Sequence, residues 1–278
     1  LIIPCAGKSS RFPGVKPKYL LTHPNGGLLV LEGIKGFDLT KFDKIYIIVL
    51  NEHALKFNAI QILRNAFEKE GLEKKLHTLI LAEETSSQPK TVYEMIKYID
   101  ISGSILIKDC DDYFEGEITE LNAVYFHTLN KVGFTNASNK SYITSNNSGY
   151  IDNIVEKRVI SEDFCCGGYS FANVKDFVKH YEKLKHHENL YISHIIYSML
   201  MDGENFTPIS TEHYHDWGTL EDWEKYRKQF KTIFVDLDGV LVENSSEFGS
   251  PKWGETKQIK ENCDLLRKLH KEGNTQIF

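Results

Sequence analysis

Hydrophobic and polar positions alternate along the chain in blocks that are typical of an α/β protein. Short apolar runs predict strands over residues 1–4, 44–50, 76–82, 104–108, 123–129 and 164–171. Apolar residues at helical spacing predict helices over residues 52–70, 89–98, 174–185, 191–201 and 220–229. Strands that alternate with helices indicate a largely parallel sheet with helices packed against it.

Three segments depart from this alternation. Residues 138–149 are rich in Ser, Asn and Gly and predict a turn or hairpin rather than a core element. Residues 206–215 look extended and lead into Asp216. At residue 231 the pattern restarts with a strand over 232–235 and a helix over 257–271, which predicts a first domain at 1–230 and a truncated second α/β unit at 231–278. Both ends resemble the inside of a strand, so we expect the chain to be a piece of a longer protein.

Composition narrows the class of protein. The chain has 278 residues, of which 41% are hydrophobic and 26% charged, which is enough for a buried core and argues against global disorder. The net charge of -6 argues against a nucleic-acid binder. No apolar run approaches the length of a membrane span, and no signal peptide is recognisable. The 5 cysteines are irregularly spaced and predict a reduced, cytoplasmic protein.

The loop after the first strand has the chemistry of a phosphate-binding turn. Its small residues let a ligand approach the backbone, whose successive amides can form an anion-binding nest. Arg11, Lys16 and Lys18 add positive charge close by. The loop is not a Walker loop, because no Gly-Lys-Ser/Thr follows at the required distance from the first glycine. On the loop alone, an ordinary turn with surface cations is an equally good interpretation.

Carboxylates follow two predicted strands. Asp109, Asp111 and Asp112 come directly after the strand at 104–108, and Asp216 ends the extended segment about a hundred residues later. Acids this close repel one another unless a cation is present, and Mg²⁺ prefers carboxylate and phosphate oxygens. A solvated acidic turn is the alternative. His213 and His215 beside Asp216 leave zinc as a lesser alternative, since no further ligand pattern supports it.

The opening segment resembles a family signature. IIPCAGKSSRF followed by KPKYLL resembles the nucleotidyltransferases that make nucleotide sugars, of the pyrophosphorylase or cytidylyltransferase type. The matching residues are Gly7, Arg11, Pro17, Lys18 and Leu20, and the resemblance extends to about residue 226. Ser9 stands where the family usually has Gly. The resemblance implies a Rossmann-like, GT-A-like mixed sheet, mostly parallel and flanked by helices.

The resemblance also implies roles for individual residues. Arg11 and Lys18 would be catalytic and face the triphosphate, and Asp111 and Asp216 would hold the Mg²⁺. The nucleotide would be held by Ala6, Gly7, Lys8, Ser9, Ser10, Ser87 and Gln88, although a helix cap is an equally good interpretation of the last two. The acceptor would be bound by Glu156, Lys157, Gly168 and Tyr169, although surface charge is the alternative for the Glu-Lys pair.

The tail resembles a different family. IFVDLDGVL at 233–241 resembles the first motif of the haloacid dehalogenase superfamily of phosphatases, which implies Asp236 as nucleophile and Asp238 as acid/base with Mg²⁺. The family's later motifs do not follow before residue 278, so this piece is not expected to be a complete phosphatase. A strand followed by an Asp-Gly turn is the alternative.

Together these features predict a Mg²⁺-dependent nucleotidyltransferase that joins an NTP to a sugar or polyol phosphate and releases pyrophosphate, for capsule or other cell-surface polysaccharide synthesis. The compact size and the PKYL segment resemble cytidylyltransferases, and this resemblance favours CTP. The alternatives are a cytidylyltransferase for phosphocholine or another alcohol phosphate, a phosphatase whose first domain binds substrate, and a non-catalytic nucleotide-binding regulator. The expected partners are an NTP and a phosphorylated acceptor, without nucleic acid or membrane. The base, the acceptor and any homo-oligomer stay open.

Overall fold

The computed structural model describes residues 1–7, 11–132, 137–243, 257–271 and 275–277. The strands are β1 (Ile2–Pro4), β2 (Ile45–Leu50), β3 (Leu76–Leu81), β4 (Ile105–Lys108), β5 (Asp112–Glu115), β6 (Ala123–Thr128), β7 (Ser141–Ser145), β8 (Ile151–Glu156), β9 (Asp163–Phe171), β10 (Thr207–Ser210), β11 (Glu212–Asp216), β12 (Lys231–Ile233) and β13 (Thr275–Ile277). The α-helices are α1 (Leu29–Ile34), α2 (Asn51–Phe57), α3 (Ala59–Lys69), α4 (Gln88–Tyr98), α5 (Val174–Leu184), α6 (Ile192–Met201), α7 (Leu220–Arg227) and α8 (Lys260–Lys271). Short 3-10 helices lie at Lys18–Leu20, Leu39–Lys41, Leu129–Lys131 and Ala137–Asn139.

The chain forms two compact units. The first comprises Leu1–His23 and Gly27–Leu220, and the second comprises Pro24–Gly26 and Glu221–Phe278. The helix α7 therefore falls almost wholly in the second unit, whereas the sequence boundary near Phe230 assigns it to the first domain. The domain bounds 1–230 and 231–278 stay a prediction.

The first unit is built on one mixed sheet. Its strand order is β10-β6-β9-β4-β1-β2-β3, with β7 pairing with β9 and β8 with β7. The strands β4, β1, β2 and β3 run parallel to one another, and β10 runs parallel to β6. Only β9 runs antiparallel to its neighbours β4 and β6 along this path of described strands. The predicted fold class, a mixed and mostly parallel α/β sheet flanked by helices, is confirmed.

Hydrophobic side chains cover both faces of this sheet. On β2, Ile48 belongs to one buried cluster with Val92 of α4 and Ile195 of α6, whereas the adjacent Ile47 belongs to a second cluster with Leu63 of α3. Successive side chains of a strand point to opposite faces, so an apolar run such as β2 is expected where both faces are covered. Each fully buried aliphatic side chain contributes about 1.5–3 kcal/mol.

The topology brings the loops of interest to one edge. Because β1 and β4 are parallel neighbours, the loops that follow them leave the sheet at the same end, where open α/β sheets bind ligands. The chain then makes a two-stranded antiparallel ribbon of β5 and β11, in which Asp112 is paired with Asp216. This ribbon carries the second predicted metal ligand back to the first.

Two predicted elements differ from the structure. The single helix over 52–70 is two helices, because Asn58 adopts a left-handed conformation with a φ of 51° between α2 and α3. The turn or hairpin predicted over 138–149 is present, but the expectation that it is not a core element is wrong, since β7 carries the buried Tyr142 and Ile143. Its polar residues make the hairpin turn to β8, in which the side chain of Asn146 accepts the amides of Ser148 and Tyr150.

The second unit contains a parallel pair of strands, β12 and β13, together with α7 and α8. The β12 strand is followed by the DLDG segment, where Gly239 has a φ of 74°. Across all the ranges that the structure describes, no helix combines the length and the apolar character needed to span a membrane.

Candidate active site

A cavity of about 400 Å³ opens at the carboxyl edge of β1 and β4. Three segments line it: the loop after β1, the start of α4 and the acidic turn after β4. Arg11, Lys18, Ser87, Gln88 and Asp111 are among the lining residues. The fold therefore collects residues from three distant parts of the sequence in one cleft.

Asp111 is the negative centre of this cleft. Lys18 forms an ion pair with its Oδ2 atom, and Arg11 Nη2 lies 3.6 Å from the same oxygen. Burial would raise the pKa of Asp111, but Lys18 and Arg11 outweigh it and hold the pKa well below its usual range. Burial would likewise lower the pKa of Lys18, but Asp111 holds it above its ordinary value. Asp111 is therefore an ionised carboxylate beside two cations.

Asp216 reaches the same place from the end of β11. The amide of Trp217 donates to the backbone oxygen of Asp111 at 2.8 Å, which joins the two strand ends. A Cβ atom on Gly218 would lie 2.9 Å from Asp216 Oδ1, 3.2 Å from Asp111 Oδ2 and 3.5 Å from Arg11 Nη1. These three side chains thus surround one point, and only a glycine leaves that point open.

Sequence reasoning missed a second lysine at this site. Lys140 Nζ lies 2.6 Å from Asp216 Oδ2 and donates to the hydroxyl of Tyr214 at 2.6 Å. Burial would lower the pKa of Lys140, but Asp216 holds it above its ordinary value. A lone lysine in the polar segment 138–149 carries no spacing signal, so the sequence offered no means of finding it.

The two remaining acids of the turn have different partners. Lys108 is fully buried and donates to the backbone oxygens of Asp109 and Asp112, at 3.0 and 3.1 Å, and to the Asp112 carboxyl. Gln88 donates to the carboxyl of Asp109. Burial raises the pKa of Asp112 to about 8 against the opposing charge of Lys108, and burial also raises the pKa of Asp109. Asp111 is therefore the carboxylate of this turn whose pKa is lowered.

Gly167 of β9 makes room for this turn. Its φ is 78°, and a Cβ atom there would lie 2.5 Å from Asp112 Oδ2 and 2.6 Å from Asp109 Oδ2. Its carbonyl accepts the amide of Asp109 at 2.7 Å. The acidic turn thus rests directly on the backbone of the neighbouring antiparallel strand.

The acids suit a hard divalent cation. Among the residues that the structure describes, the carboxylates of Asp109, Asp111 and Asp112 form a group whose ligand atoms lie within 4.8 Å of one another. Asp216 Oδ1 and Asp111 Oδ2 face the same open point beside Gly218. Carboxylate oxygens supplemented by substrate phosphates are the donors that Mg²⁺ takes, so this set fits the ion. His213 and His215 belong to no such group within the described ranges.

The residues predicted to hold the nucleotide lie on the other side of the cavity. Ala6, Gly7, Ser87 and Gln88 line it. Lys8, Ser9 and Ser10 lie outside the described residues. Ser87 is also the N-cap of α4, where its hydroxyl accepts the amide of Lys90 at 3.4 Å. The capping and the ligand-binding interpretations of Ser87 are therefore compatible.

Glu156 is the last residue of β8, and Lys157 follows it. The Glu156 carboxylate accepts from Ser193 Oγ at 2.7 Å and from Ser141 Oγ. Lys157 has a left-handed φ of 56°, and its ammonium donates to the hydroxyl of Tyr191 and lies 4.4 Å from the centre of that ring. Both side chains are thus held in place, and their role towards an acceptor stays a prediction.

Gly168 and Tyr169 lie in the core rather than at an open surface. A Cβ atom on Gly168 would lie 2.6 Å from Phe114 Cζ and 3.0 Å from Tyr125 Cδ2. Tyr169 is buried in the cluster that contains Ile107 and Val124, and burial raises the pKa of its hydroxyl well above the usual range. The glycine beside the acids is Gly167, one residue before the predicted one.

Asp236 and Asp238 belong to the second unit. The carboxylate of Asp236 accepts the amide of Leu237 at 2.8 Å, and Asp238 forms an isolated parallel bridge with Val242. These contacts describe a turn after β12. The phosphatase roles implied for both residues stay predictions.

Comparison with known proteins finds similar folds. The structure is similar to the nucleoside-diphosphate-sugar pyrophosphorylase from Vibrio cholerae RC9, with a TM-score of 0.68, 20% identity, and coverage of 82% of this chain and 100% of that chain. It is similar to the inositol-1-phosphate CTP transferase from T. maritima, with a TM-score of 0.61, 14% identity, and coverage of 80% and 89%. It is also similar to the CTP:phosphocholine cytidylyltransferase from Streptococcus pneumoniae, with a TM-score of 0.60, 14% identity, and coverage of 82% and 96%.

No protein-family profile matches the chain, and no curated protein sequence does. The similar structures are nucleotidyltransferases of the sugar pyrophosphorylase and cytidylyltransferase types. At these identities the similarity establishes the fold, which is the one that these enzymes share.

Proposed function

We propose that the protein is a Mg²⁺-dependent nucleotidyltransferase. It transfers a nucleotidyl group from an NTP, with CTP preferred, to a sugar or polyol phosphate, and it releases pyrophosphate. The observation that carries this proposal is the convergence of Arg11, Lys18, Asp111 and Asp216 on one cleft at the carboxyl edge of the sheet. Two cations and two acids from three separate parts of the sequence suit a metal-bound triphosphate.

The proposed reaction is a single in-line displacement. An oxygen of the acceptor's phosphate attacks the α-phosphorus of the NTP, the bond from that phosphorus to the bridging oxygen of the β-phosphate breaks, and pyrophosphate leaves with the electron pair. A phosphate monoester is largely dianionic near neutral pH, so no general base has to remove a proton. Catalysis then consists of positioning and of neutralising the charge that develops on the transferred and leaving groups.

Arg11 and Lys18 supply the positive charge on the triphosphate side. Lys18 is largely buried and its pKa is raised beside Asp111, so it stays protonated at neutral pH. Fixed cations stabilise the leaving pyrophosphate more than the bound NTP, because negative charge accumulates there as the bond breaks. Asp111 and Asp216 would hold Mg²⁺, which when bound neutralises phosphate charge and orients the reacting groups.

The acceptor is the less determined substrate. Solved structures of similar fold include enzymes named for inositol 1-phosphate and for phosphocholine, in each case with CTP. We infer from the resemblance in the opening segment that a sugar or polyol phosphate is the acceptor and that the product serves cell-surface polysaccharide synthesis. Phosphocholine is the principal alternative.

A matrix of substrates tests the proposal. Pyrophosphate release is measured with Mg²⁺ for five nucleoside triphosphates against glucose 1-phosphate, ribitol 5-phosphate, inositol 1-phosphate and phosphocholine. We expect release only when both an NTP and an acceptor are present, and the highest rate with CTP. Omitting Mg²⁺ or adding EDTA should abolish it. Tight NTP binding without release in any combination would instead indicate a regulator.

The second unit suggests one further measurement on the same samples. If the DLDG segment belonged to a working phosphatase, inorganic phosphate would appear from the acceptors without any NTP. We expect no such release from this chain, because the later motifs of that superfamily do not follow the first one in its sequence.

A further inference from the structure

We propose that Lys140 binds the phosphate group of the acceptor. The inference rests on the proposed function, and it adds a specificity-determining residue from a segment that the resemblance leaves unassigned. It depends on where Lys140 lies relative to the metal-site acids and to the hairpin that carries Glu156.

Lys140 is held beside Asp216 by contacts at its tip. It follows the short 3-10 helix Ala137–Asn139 and immediately precedes β7. Its Nζ atom lies 2.6 Å from Asp216 Oδ2 and 2.6 Å from the Tyr214 hydroxyl, and 5.3 Å from the centre of the Tyr214 ring. Its side chain is only 16% exposed, and these contacts hold its ammonium group beside Asp216 rather than in bulk solvent.

The backbone of Lys140 connects this position to the predicted acceptor residues. Its carbonyl accepts the amide of Lys157 at 3.0 Å. The next residue, Ser141, is paired with Glu156 in the β7–β8 register and donates to the Glu156 carboxylate. Lys140 therefore stands between Asp216 on one side and the Glu156–Lys157 corner on the other.

The two paired acids of the cleft each have a lysine from a different element. Lys18, from the segment after β1, pairs with Asp111, and Lys140, from the start of β7, pairs with Asp216. A carboxylate that also binds a divalent cation shares its negative charge with that cation, so its lysine gains capacity for another anion. The lysines are thus suited to receive substrate oxygens when the metal-bound substrate enters.

The positions of the two lysines suggest that Lys18 contacts the NTP and that Lys140 contacts the acceptor. Lys18 and Arg11 share the β1 side with the loop predicted to hold the NTP. Lys140 shares a hairpin with the residues predicted to hold the acceptor, so the acceptor's phosphate is the anion nearest to it. An ammonium that binds a phosphate oxygen makes a charge-assisted hydrogen bond, which is among the stronger polar contacts.

Steady-state kinetics of Lys140→Met shows which of the two substrates Lys140 contacts, because the KM is measured separately for each. With CTP and each acceptor of the panel, we expect the KM for the acceptor to rise at least about tenfold, because a charge-assisted contact to its phosphate is lost. The KM for the NTP should change less than about threefold. Lys140→Gln keeps a hydrogen-bond donor but no charge and should show the same split, whereas Lys140→Arg should restore most of the acceptor affinity.

Lys183→Met is the matched control. Lys183 also forms an ion pair with an aspartate, Asp202, at 2.5 Å, but it lies on α5 away from the cleft. Its KM values should equal those of the wild type. Thermal unfolding of every variant reports whether the fold is intact, and Lys140→Gln serves if Lys140→Met does not fold.

Titration of inorganic phosphate by calorimetry gives a readout that does not need turnover. We expect the dissociation constant for phosphate to rise at least about tenfold in Lys140→Met and to stay unchanged in Lys183→Met. Any of three results overturns the proposal: an unchanged KM for the acceptor, an equal rise in both KM values, or an unchanged dissociation constant for phosphate in Lys140→Met. A wild type that releases no pyrophosphate with any substrate refutes the proposed function, and the phosphate titration still decides the role of Lys140.

Discussion

Four carboxyl groups can lie close together in this cleft because different partners offset their mutual repulsion. They belong to Asp109, Asp111, Asp112 and Asp216. Lys18 and Arg11 hold the pKa of Asp111 below its usual range, and Lys140 pairs with Asp216. Burial raises the pKa of Asp109 and of Asp112, while the buried Lys108 pairs with Asp112 and opposes the rise in its pKa. The ionised carboxylate of Asp111 therefore lies where a metal-bound triphosphate would bind.

Asp111→Asn tests this division of roles. The amide keeps the size of the side chain but removes the charge that would bind Mg²⁺, so we expect pyrophosphate release to fall at least about 100-fold. Asp202→Asn is the matched control, since Asp202 also pairs with a lysine but lies at the end of α6. Rates are measured at saturating Mg²⁺, with circular dichroism to verify the fold.

Near-normal turnover in Asp111→Asn would contradict the proposed metal site. A large loss in Asp202→Asn would show that removal of any lysine-paired aspartate impairs the protein, and the loss in Asp111→Asn would then carry no information about the metal.

Sequence reasoning found the residues that belong to recognisable patterns and missed those that do not. Arg11, Lys18, Asp111 and Asp216 stand in motifs at strand ends, and the structure brings all four to one cleft. Lys140 could not be found because its role arises from the pairing of β7 with β8 and β9, which a local sequence pattern does not contain.

At the scale of secondary structure, burial and pairing explain where prediction worked. The strands β1, β2 and β4 were predicted because buried parallel strands are continuous apolar runs. The strand β7 was missed because its sequence, SYITS, is short and mixed, and its burial depends on pairing with β9 through Tyr142 and Phe164. The helix α1 was missed because all of its 6 residues are buried, which leaves no polar face to reveal its period.

Lys108 at the end of β4 stabilises the acidic turn as a unit. It is fully buried, donates to two backbone oxygens of the turn and lies 4.7 Å from the centre of the Phe114 ring. Lys108→Met removes these donors and leaves buried acceptors without partners, so we expect it to lower the free energy of unfolding by about 3 kcal/mol or more. Urea denaturation monitored by fluorescence measures the change.

Lys185→Met is the comparison for Lys108→Met. Lys185 pairs with Glu182 at 2.6 Å, but both side chains are substantially exposed. Its substitution should lower the free energy of unfolding far less than Lys108→Met does, because water replaces most of what an exposed ion pair provides. Equal effects of the two substitutions would mean that the acidic turn does not depend on its buried lysine.

For the molecule as a whole, the candidate site belongs to one compact unit. Every residue that surrounds the point beside Gly218 lies in the first unit, whose bounds are Leu1–His23 and Gly27–Leu220. The DLDG segment lies in the second. The two resemblances in the sequence therefore correspond to separate parts of the fold, each with its own sheet.

Buried histidines make the stability of the protein depend on pH. His180 is 1% exposed, with Nδ1 2.8 Å from Ser198 Oγ, and burial holds its pKa below the ordinary value of 6.5. Burial also lowers the pKa of His53. Below about pH 6.5 each of these histidines therefore binds a proton more readily in the unfolded chain, and its contribution to stability is lost as the pH falls. Asp112, whose pKa burial raises to about 8, contributes with the opposite sign.

Between about pH 7.5 and about pH 5, we expect the urea midpoint of the wild type to fall relative to that of His180→Gln. The substitution removes one group that takes up a proton on unfolding, so the difference isolates the contribution of His180. His186→Gln, at an exposed position, should leave the pH dependence as it is in the wild type. A wild-type midpoint that rises on acidification relative to that of His180→Gln would contradict the sign of the shift at His180.

The contact between Gly167 and the acidic turn limits how this cleft can diverge. The left-handed backbone and the carboxylate oxygens 2.5 and 2.6 Å from the position of a Cβ atom leave room for a hydrogen atom alone. Any other residue at this position would therefore require the acidic turn to move, whatever the chemistry of its side chain. At Gly167 the choice of residue is thus limited by steric contact with the acidic turn and not by a chemical role of the side chain.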